Sequence, residues 1–387
     1  MVWEVWTNAL KHKSWKAELN FLLSIYEKKK NKTNLKSKPY LFYIDSVSYC
    51  NLQCPFCPTG AKTNDRDNSK LSLSQFKHLM NHMGDYLYEI VFCNWAEPFL
   101  NNDVPDMIRH AKKFHIPIRI STNLSFPLSR KKAENIIRCG IDYLTISVDG
   151  ATQESYEKYR IGGNLQLVLK NIKLLNELKV ELGLDTPIME WQFLVFKHNE
   201  HEIELAKQIA KELKIPIRFA SPYLTNSVNQ DDWIPTSTQY SQNIPIVDLN
   251  EKWENHPIVD YKKNSPCRWL WSAMVFGSDL SVSPCDGIIN TANSFGSFNT
   301  LHDTWNNEKF VSARQFFKNG KIEKGLICCK CPVQWIQHAI DLYDDQILIH
   351  IFRKHSKLMN FFLKLYVNFF TKNLYERNKK HIEFQTN

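Results

Sequence analysis

Leu41-Phe-Tyr-Ile-Asp-Ser46 is an apolar and aromatic run, and within four residues it leads into Cys50-Asn-Leu-Gln-Cys54-Pro-Phe-Cys57. The run predicts a strand, so three thiols spaced C-x3-C-x2-C fall directly after a strand's carboxyl end. A structural zinc site closes with four ligands, whereas three close thiolates suit three irons of a [4Fe–4S] cube and leave the fourth iron open. A zinc knuckle completed by a distant ligand is the other reading of this spacing.

Outward from that loop, apolar runs at 89–94, 117–122, 143–148, 188–196 and 217–221 predict five further strands. Helix-period segments lie between them at 74–83, 104–114, 130–139, 165–178 and 200–213. The last carries a start signal, Asn199 as cap with Glu202 three residues on. Alternating strands and helices imply parallel strands joined by right-handed crossovers, and six units are too few to close an eight-stranded barrel. The expected fold is α/β: a partial (β/α)6 barrel over 39–225, with a basic helical extension at 1–38. A linker or lid at 226–264, a small cysteine-rich domain at 265–335 and a basic aromatic helical tail at 336–387 follow. In such barrels the reactive groups gather at the carboxyl ends of the strands.

Those strand ends carry polar groups. The second ends in Asn94-Trp95-Ala96-Glu97-Pro98, the third in Ser121-Thr122-Asn123 and the fourth in Ser147-Val148-Asp149-Gly150. Tyr156-Glu-Lys-Tyr-Arg160 follows, and the fifth strand exits through Trp191-Gln-Phe-Leu-Val-Phe196-Lys-His-Asn199-Glu-His-Glu202. In this order, together with the cysteine loop, the segments resemble the radical S-adenosylmethionine (SAM) superfamily across roughly 40–335. The resemblance implies a [4Fe–4S] cluster on Cys50, Cys54 and Cys57 whose open iron chelates SAM and whose electron cleaves it to a 5′-deoxyadenosyl radical. It places Glu97 in the motif for the SAM amino group, with Ala96 where related motifs have glycine, and Ser121, Asn123, Ser147 and Asp149 at ribose- and methionine-contacting strand ends. It makes Arg160 the partner of the SAM carboxylate, puts Phe56 beside the adenine, and matches Phe196 in the fifth-strand segment. Cys93 and Cys139 read as buried small apolar residues.

A second cysteine set comprises Cys267-Arg-Trp-Leu-Trp271, Val282-Ser-Pro-Cys285-Asp286 and Cys328-Cys-Lys-Cys331-Pro332. It resembles the SPASM/Twitch extension of radical SAM enzymes, which implies one auxiliary [4Fe–4S] cluster on Cys267, Cys285, Cys328 and Cys331, with Cys329 able to replace Cys328. Leu280 stands where that extension has a glycine. A zinc ribbon from the same four thiols is the alternative.

The ten cysteines are too clustered for a disulfide framework and suit a reducing compartment. With no run of about 20 apolar residues and lysines throughout the first thirty, the chain reads as cytoplasmic. Its net charge of +9 sits at the ends: nine lysines against three acids in 1–38, and eight basic residues against one acid in 353–380. That distribution argues against a nucleic-acid partner. Trp3, Trp6, Leu10 and Trp15, and again Phe361, Phe362, Leu365, Tyr366, Phe369 and Phe370, recur among these charges, so peripheral membrane contact through the ends is an expectation. The resemblance implies a reductant such as flavodoxin or ferredoxin, and hydrogen abstraction from a small-molecule or glycan substrate by oxidation or epimerisation. Peptide modification is the alternative, although the roughly 38 residues before the barrel are too few for a leader-peptide-binding domain. A non-catalytic zinc- or cluster-binding interaction protein is the rival from another class.

Overall fold

The computed structural model describes residues 10–92, 95–222, 224–225, 230–241, 246–247, 267–287, 290–298, 304–320, 325–330 and 337–355. Met1–Gln337 make one compact unit and His338–Asn387 another. Six strands alternate with helices: β1 (Leu41–Ile44), β2 (Glu89–Phe92), β3 (Ile118–Thr122), β4 (Tyr143–Ser147), β5 (Ile188–Leu194) and β6 (Ile217–Ala220). They pair in that order and all run parallel, as a partial barrel requires. The intervening helices are α2 (Leu73–Met83), α3 (Val104–Lys112), α4 (Arg130–Arg138), α5 (Gln153–Tyr159), α6 (Leu165–Glu181) and α7 (Ile203–Glu212), preceded by α1 (Trp15–Lys29).

Period-2 alternation sets the core. Phe42, Ile44, Ile90, Phe92, Ile118, Ile120, Leu144 and Ile146 are all buried on the face toward the helices. Helix starts follow local chemistry: Ser72 and Gln75 form a reciprocal capping box on α2, and the side chains of Ser129, Thr152 and Asn164 cap α4, α5 and α6.

Three features depart from the sequence reading. Asn199 is not a side-chain cap: its Oδ1 accepts from Phe196 N at 2.7 Å and its Nδ2 donates to Asp149 O and Leu194 O, both at 3.0 Å. Glu202 instead takes Ala151 N at 2.7 Å and the hydroxyls of Thr152 and Ser155, so α7 begins only at Ile203. The sheet also has more than six strands. β7 (Ala273–Phe276) lies parallel beside β1, and β8 (Val282–Ser283) pairs antiparallel with β7. Two short strands from the region expected as a small cysteine-rich domain thus extend the barrel sheet and cover the free edge of β1, and a four-residue strand among cysteine motifs gives no periodic signal. The amino-terminal stripe, finally, is not one face, since Leu10 is buried and Trp15 is 72% exposed. Trp3, Trp6, Cys93, Asn94 and 361–370 lie outside the described residues. Cys139 is buried at the end of α4. No helix among the described residues is long and apolar enough to cross a membrane.

The closed edge makes a prediction. Phe276 is fully buried, with its ring 4.8 Å from that of Phe42 and 5.8 Å from that of Phe298. Phe276→Ala is expected to cost about 3–5 kcal/mol in urea unfolding followed by tryptophan fluorescence. A loss under about 1 kcal/mol would mark a surface segment rather than a core strand.

Candidate active site

The three thiols lie where β1 opens into its loop. Cys57 N donates to Cys54 O at 3.1 Å, Gln53 N to Ile161 O at 2.9 Å, and Glu97 N to Tyr49 O at 3.3 Å, so the loop is tied to the segments after α5 and β2. It also folds tightly onto itself: a Cβ at Gly60 would stand 2.5 Å from Cys54 N, which reserves that position for glycine. Cys50, Cys54 and Cys57 are free and line one cavity of about 110 Å³ with Glu97, Ser121, Asn123, Ser147 and Arg160. That volume is below the roughly 300 Å³ at which ligand pockets begin. Burial pushes the Cys50 thiol up to about 12, with the Glu97 charge adding to it, and Cys54 up to about 11 against the pull of Arg160; burial raises Cys57 as well. Among the described residues no group of three or more His, Cys, Asp or Glu side chains could hold a single metal ion. A [4Fe–4S] cube takes its three thiolates on three different irons, so thiols spread around one cavity, with few other ligands, fit that group.

Glu97 is almost without exposure, and its carboxylate is occupied within the protein. Oε1 accepts from Phe99 N at 3.1 Å and from the Thr122 hydroxyl at 2.8 Å, while Oε2 accepts from Asn123 N at 2.7 Å. Burial pushes the carboxyl up to about 7 and the three donors oppose it. Glu97 therefore sits in the expected motif but acts on the loop itself. Asn123, held through its amide, donates from Nδ2 to Cys50 Sγ at 3.5 Å and to Asn51 Oδ1 at 3.0 Å.

Asp149 and Arg160, expected as two separate ligand contacts, bind each other. Nε and Nη2 of Arg160 reach Asp149 Oδ2 at 2.6 Å, and Leu194 N donates to Oδ1 at 2.6 Å. Nη1 lies 3.8 Å from Cys54 Sγ. Burial opposes the Arg160 charge, but the Asp149 carboxylate and the Cys54 thiol hold its pKa well above the ordinary value. The Ser121 and Ser147 hydroxyls are 3.4 Å apart across adjacent strands. Phe56 and Phe196 stand behind the cavity wall, packed with Tyr159 and Trp233 at centroid distances of 4.5–6.1 Å. Tyr159 and Trp233 escaped the sequence reading; Tyr159 lay inside a segment quoted for its arginine, and Trp233 in a polar stretch without periodicity.

Residues 44–190 match a family model described as the Radical SAM superfamily. They form a radical SAM domain. Such domains use a [4Fe–4S] cluster and SAM. Fe-coproporphyrin III synthase of Methanosarcina barkeri is 26% identical over 182 residues, 47% of this chain and 43% of that protein. GTP 3′,8-cyclase of Limosilactobacillus fermentum is 26% identical over 231 residues, 58% of this chain and 65% of that protein. The chain spans about half the length of the first curated relatives it matches. Among solved structures, SuiB of Streptococcus suis bound to S-adenosylmethionine superposes with a TM-score of 0.51 at 16% identity, covering 78% of this chain and 74% of that one, a likeness of fold.

The second cysteine set adjoins the radical SAM domain. Cys267 and Cys285 are half-buried, Cys328 and Cys329 are buried, and Cys331 lies outside the described residues. Leu280, in the expected glycine position, has φ +64°, so the left-handed turn is kept by a residue that pays for it. Trp95, which lines the thiol cavity, donates from Nε1 to Asp286 O at 2.7 Å, next to Cys285. Asp65 accepts from Thr291 N at 2.6 Å and from Ala292 N at 3.2 Å.

The buried pair yields a prediction for the radical SAM domain. Asp149 has no side-chain exposure and Arg160 has 14%. Asp149→Asn leaves the guanidinium without its charge partner and is expected to cost about 3–5 kcal/mol in chemical denaturation at neutral pH; a loss under about 1 kcal/mol would mean that water already compensates Arg160.

Proposed function

We propose that this chain is a radical SAM enzyme whose cluster is held by Cys50, Cys54 and Cys57, acting on a C–H bond of a small molecule or glycan by oxidation or epimerisation. The observation that carries the reading is the meeting of three free thiols, from one loop after β1, with the ends of β2, β3 and β4 around one cavity. When bound, the cluster supplies the electron that cleaves SAM to a 5′-deoxyadenosyl radical. The protein's own groups then bind and orient. Arg160, kept charged by Asp149, presents its remaining donors to the SAM carboxylate. The Ser121 and Ser147 hydroxyls and the Asn123 amide offer bonds to ribose or methionine groups, and Glu97 fixes the loop that carries these contacts. Phe56 and Phe196 stiffen the wall on the adenine side.

The same reading assigns one auxiliary [4Fe–4S] cluster to Cys267, Cys285, Cys328 and Cys331, where it would relay an electron or order the substrate pocket. The contact of Trp95 with the backbone beside Cys285 supports a joint site. A closed cluster there favours oxidation, and a zinc ribbon would favour redox-neutral outcomes such as epimerisation.

Two measurements test these assignments. Anaerobic reconstitution should load about eight irons, and the Cys50→Ala/Cys54→Ala/Cys57→Ala variant about four with no 5′-deoxyadenosine formed, by ligand count. Retained cleavage would overturn the catalytic assignment, and one zinc in place of the remaining irons would make the second site a ribbon. Arg160→Lys keeps the charge but loses the planar fork, so SAM binding is expected to weaken about tenfold by calorimetry; an unchanged Kd removes Arg160 from the site.

A further inference from the structure

A basic groove lies outside the thiol site. Between α3 and α4 runs a groove of about 600 Å³ lined by Arg109, Lys131, Lys132 and Arg138 against Glu134 alone among the acids. Asp106 pairs with Arg109 at 2.6 Å from the rim and Glu134 with Arg138 at 2.8 Å, so two acids face the four cations and the groove keeps a net positive charge; Arg109 also contacts Asn135 across the groove. A second outer cavity of about 740 Å³ between α6 and α7 offers a comparison, since its three lysines are matched by three glutamates. Basic character therefore distinguishes the first groove from the second.

Its wall is thin. Lys132 Nζ donates to Phe99 O at 3.1 Å, Phe99 N to Glu97 Oε1 at 3.1 Å, Asn123 N to Glu97 Oε2 at 2.7 Å, and Asn123 Nδ2 to Cys50 Sγ at 3.5 Å. The loop after β2 thus borders the groove through Phe99 and Asn101 and the thiol cavity through Glu97, while Asn123 links it onward to Cys50. We propose that the groove between α3 and α4 docks an acidic one-electron carrier protein, a flavin or iron–sulfur reductant, close to the Cys50 side of the cluster site. The inference rests on the radical SAM reading, which requires a reductant. One electron leaves the docked carrier, oxidising it by one equivalent, and reduces the cluster by one; no bond is made or broken at the groove. Complementary charge steers such an encounter and weakens with salt.

The test uses the iron-loaded full chain and an acidic flavodoxin as probe. Lys131 and Arg138 are exposed on α4, away from the contacts that build the thiol site. Lys131→Glu/Arg138→Glu is expected to raise the flavodoxin Kd at least about tenfold at low salt and to flatten its salt dependence. Flavodoxin-driven SAM cleavage should fall in step, while dithionite-driven cleavage stays within about twofold of the parent. Glu134→Lys, which adds positive charge, should tighten binding, an outcome that misfolding cannot produce. An unchanged Kd in both variants overturns the docking site. If the parent fails to cleave SAM even with dithionite, the radical SAM reading falls, and the binding measurement still decides the groove.

Discussion

The buried carboxylate of Glu97 is the interaction on which the geometry of the site depends. A carboxylate removed from water costs several kcal/mol unless hydrogen bonds replace its hydration. Here Phe99 N, the Thr122 hydroxyl and Asn123 N supply three. The loop after β2 and the end of β3 are locked to a single acceptor group, because either segment moving away would strand a charge. Asn123 transmits that lock to Cys50, so the position of one thiol follows from a residue on another strand.

A second constraint works through β4, α5 and β5. Asp149 fixes Arg160 after α5, and Leu194 N on β5 holds the other carboxylate oxygen. Asn199 then ties the Asp149 carbonyl back to Leu194. Polar groups from β4, α5 and β5 are thereby satisfied among themselves, and the aromatic cluster of Phe56, Tyr159, Phe196 and Trp233 packs behind them. Each interior polar atom drawn into this network loses the freedom to turn elsewhere.

The far edge of the sheet explains how the segment that carries Cys285 comes to meet the wall of the thiol cavity. β1 would otherwise present unpaired backbone groups on one side, and β7 covers them in parallel register, Leu41 beside Ala273 and Ile44 beside Phe276. β8 and the turn at Leu280 follow directly, bringing Asp286 against Trp95 of the thiol cavity. The cost of a leucine in a left-handed turn is small beside the closure of a sheet edge.

By itself the sequence determined the alternating six-strand partial barrel and the location of the thiols, because period-2 and period-3.6 patterns and a C-x3-C-x2-C loop are local signals that need no partner. Through its resemblance to the radical SAM superfamily it also marked Glu97, Asn123 and Asp149, which follow strand ends, and Arg160, which follows α5. Only the tertiary structure decided what those groups do to one another: that Glu97 faces inward to three donors, that Asp149 and Arg160 form a pair, and that Asn199 and Glu202 serve the β4 and α5 ends instead of capping a helix. It alone placed β7 beside β1, more than two hundred residues apart in sequence. The physical reason is the same throughout: a side chain's type fixes which bonds it can make, whereas the partner it meets is set by the packing of segments distant in the chain, which no local pattern encodes.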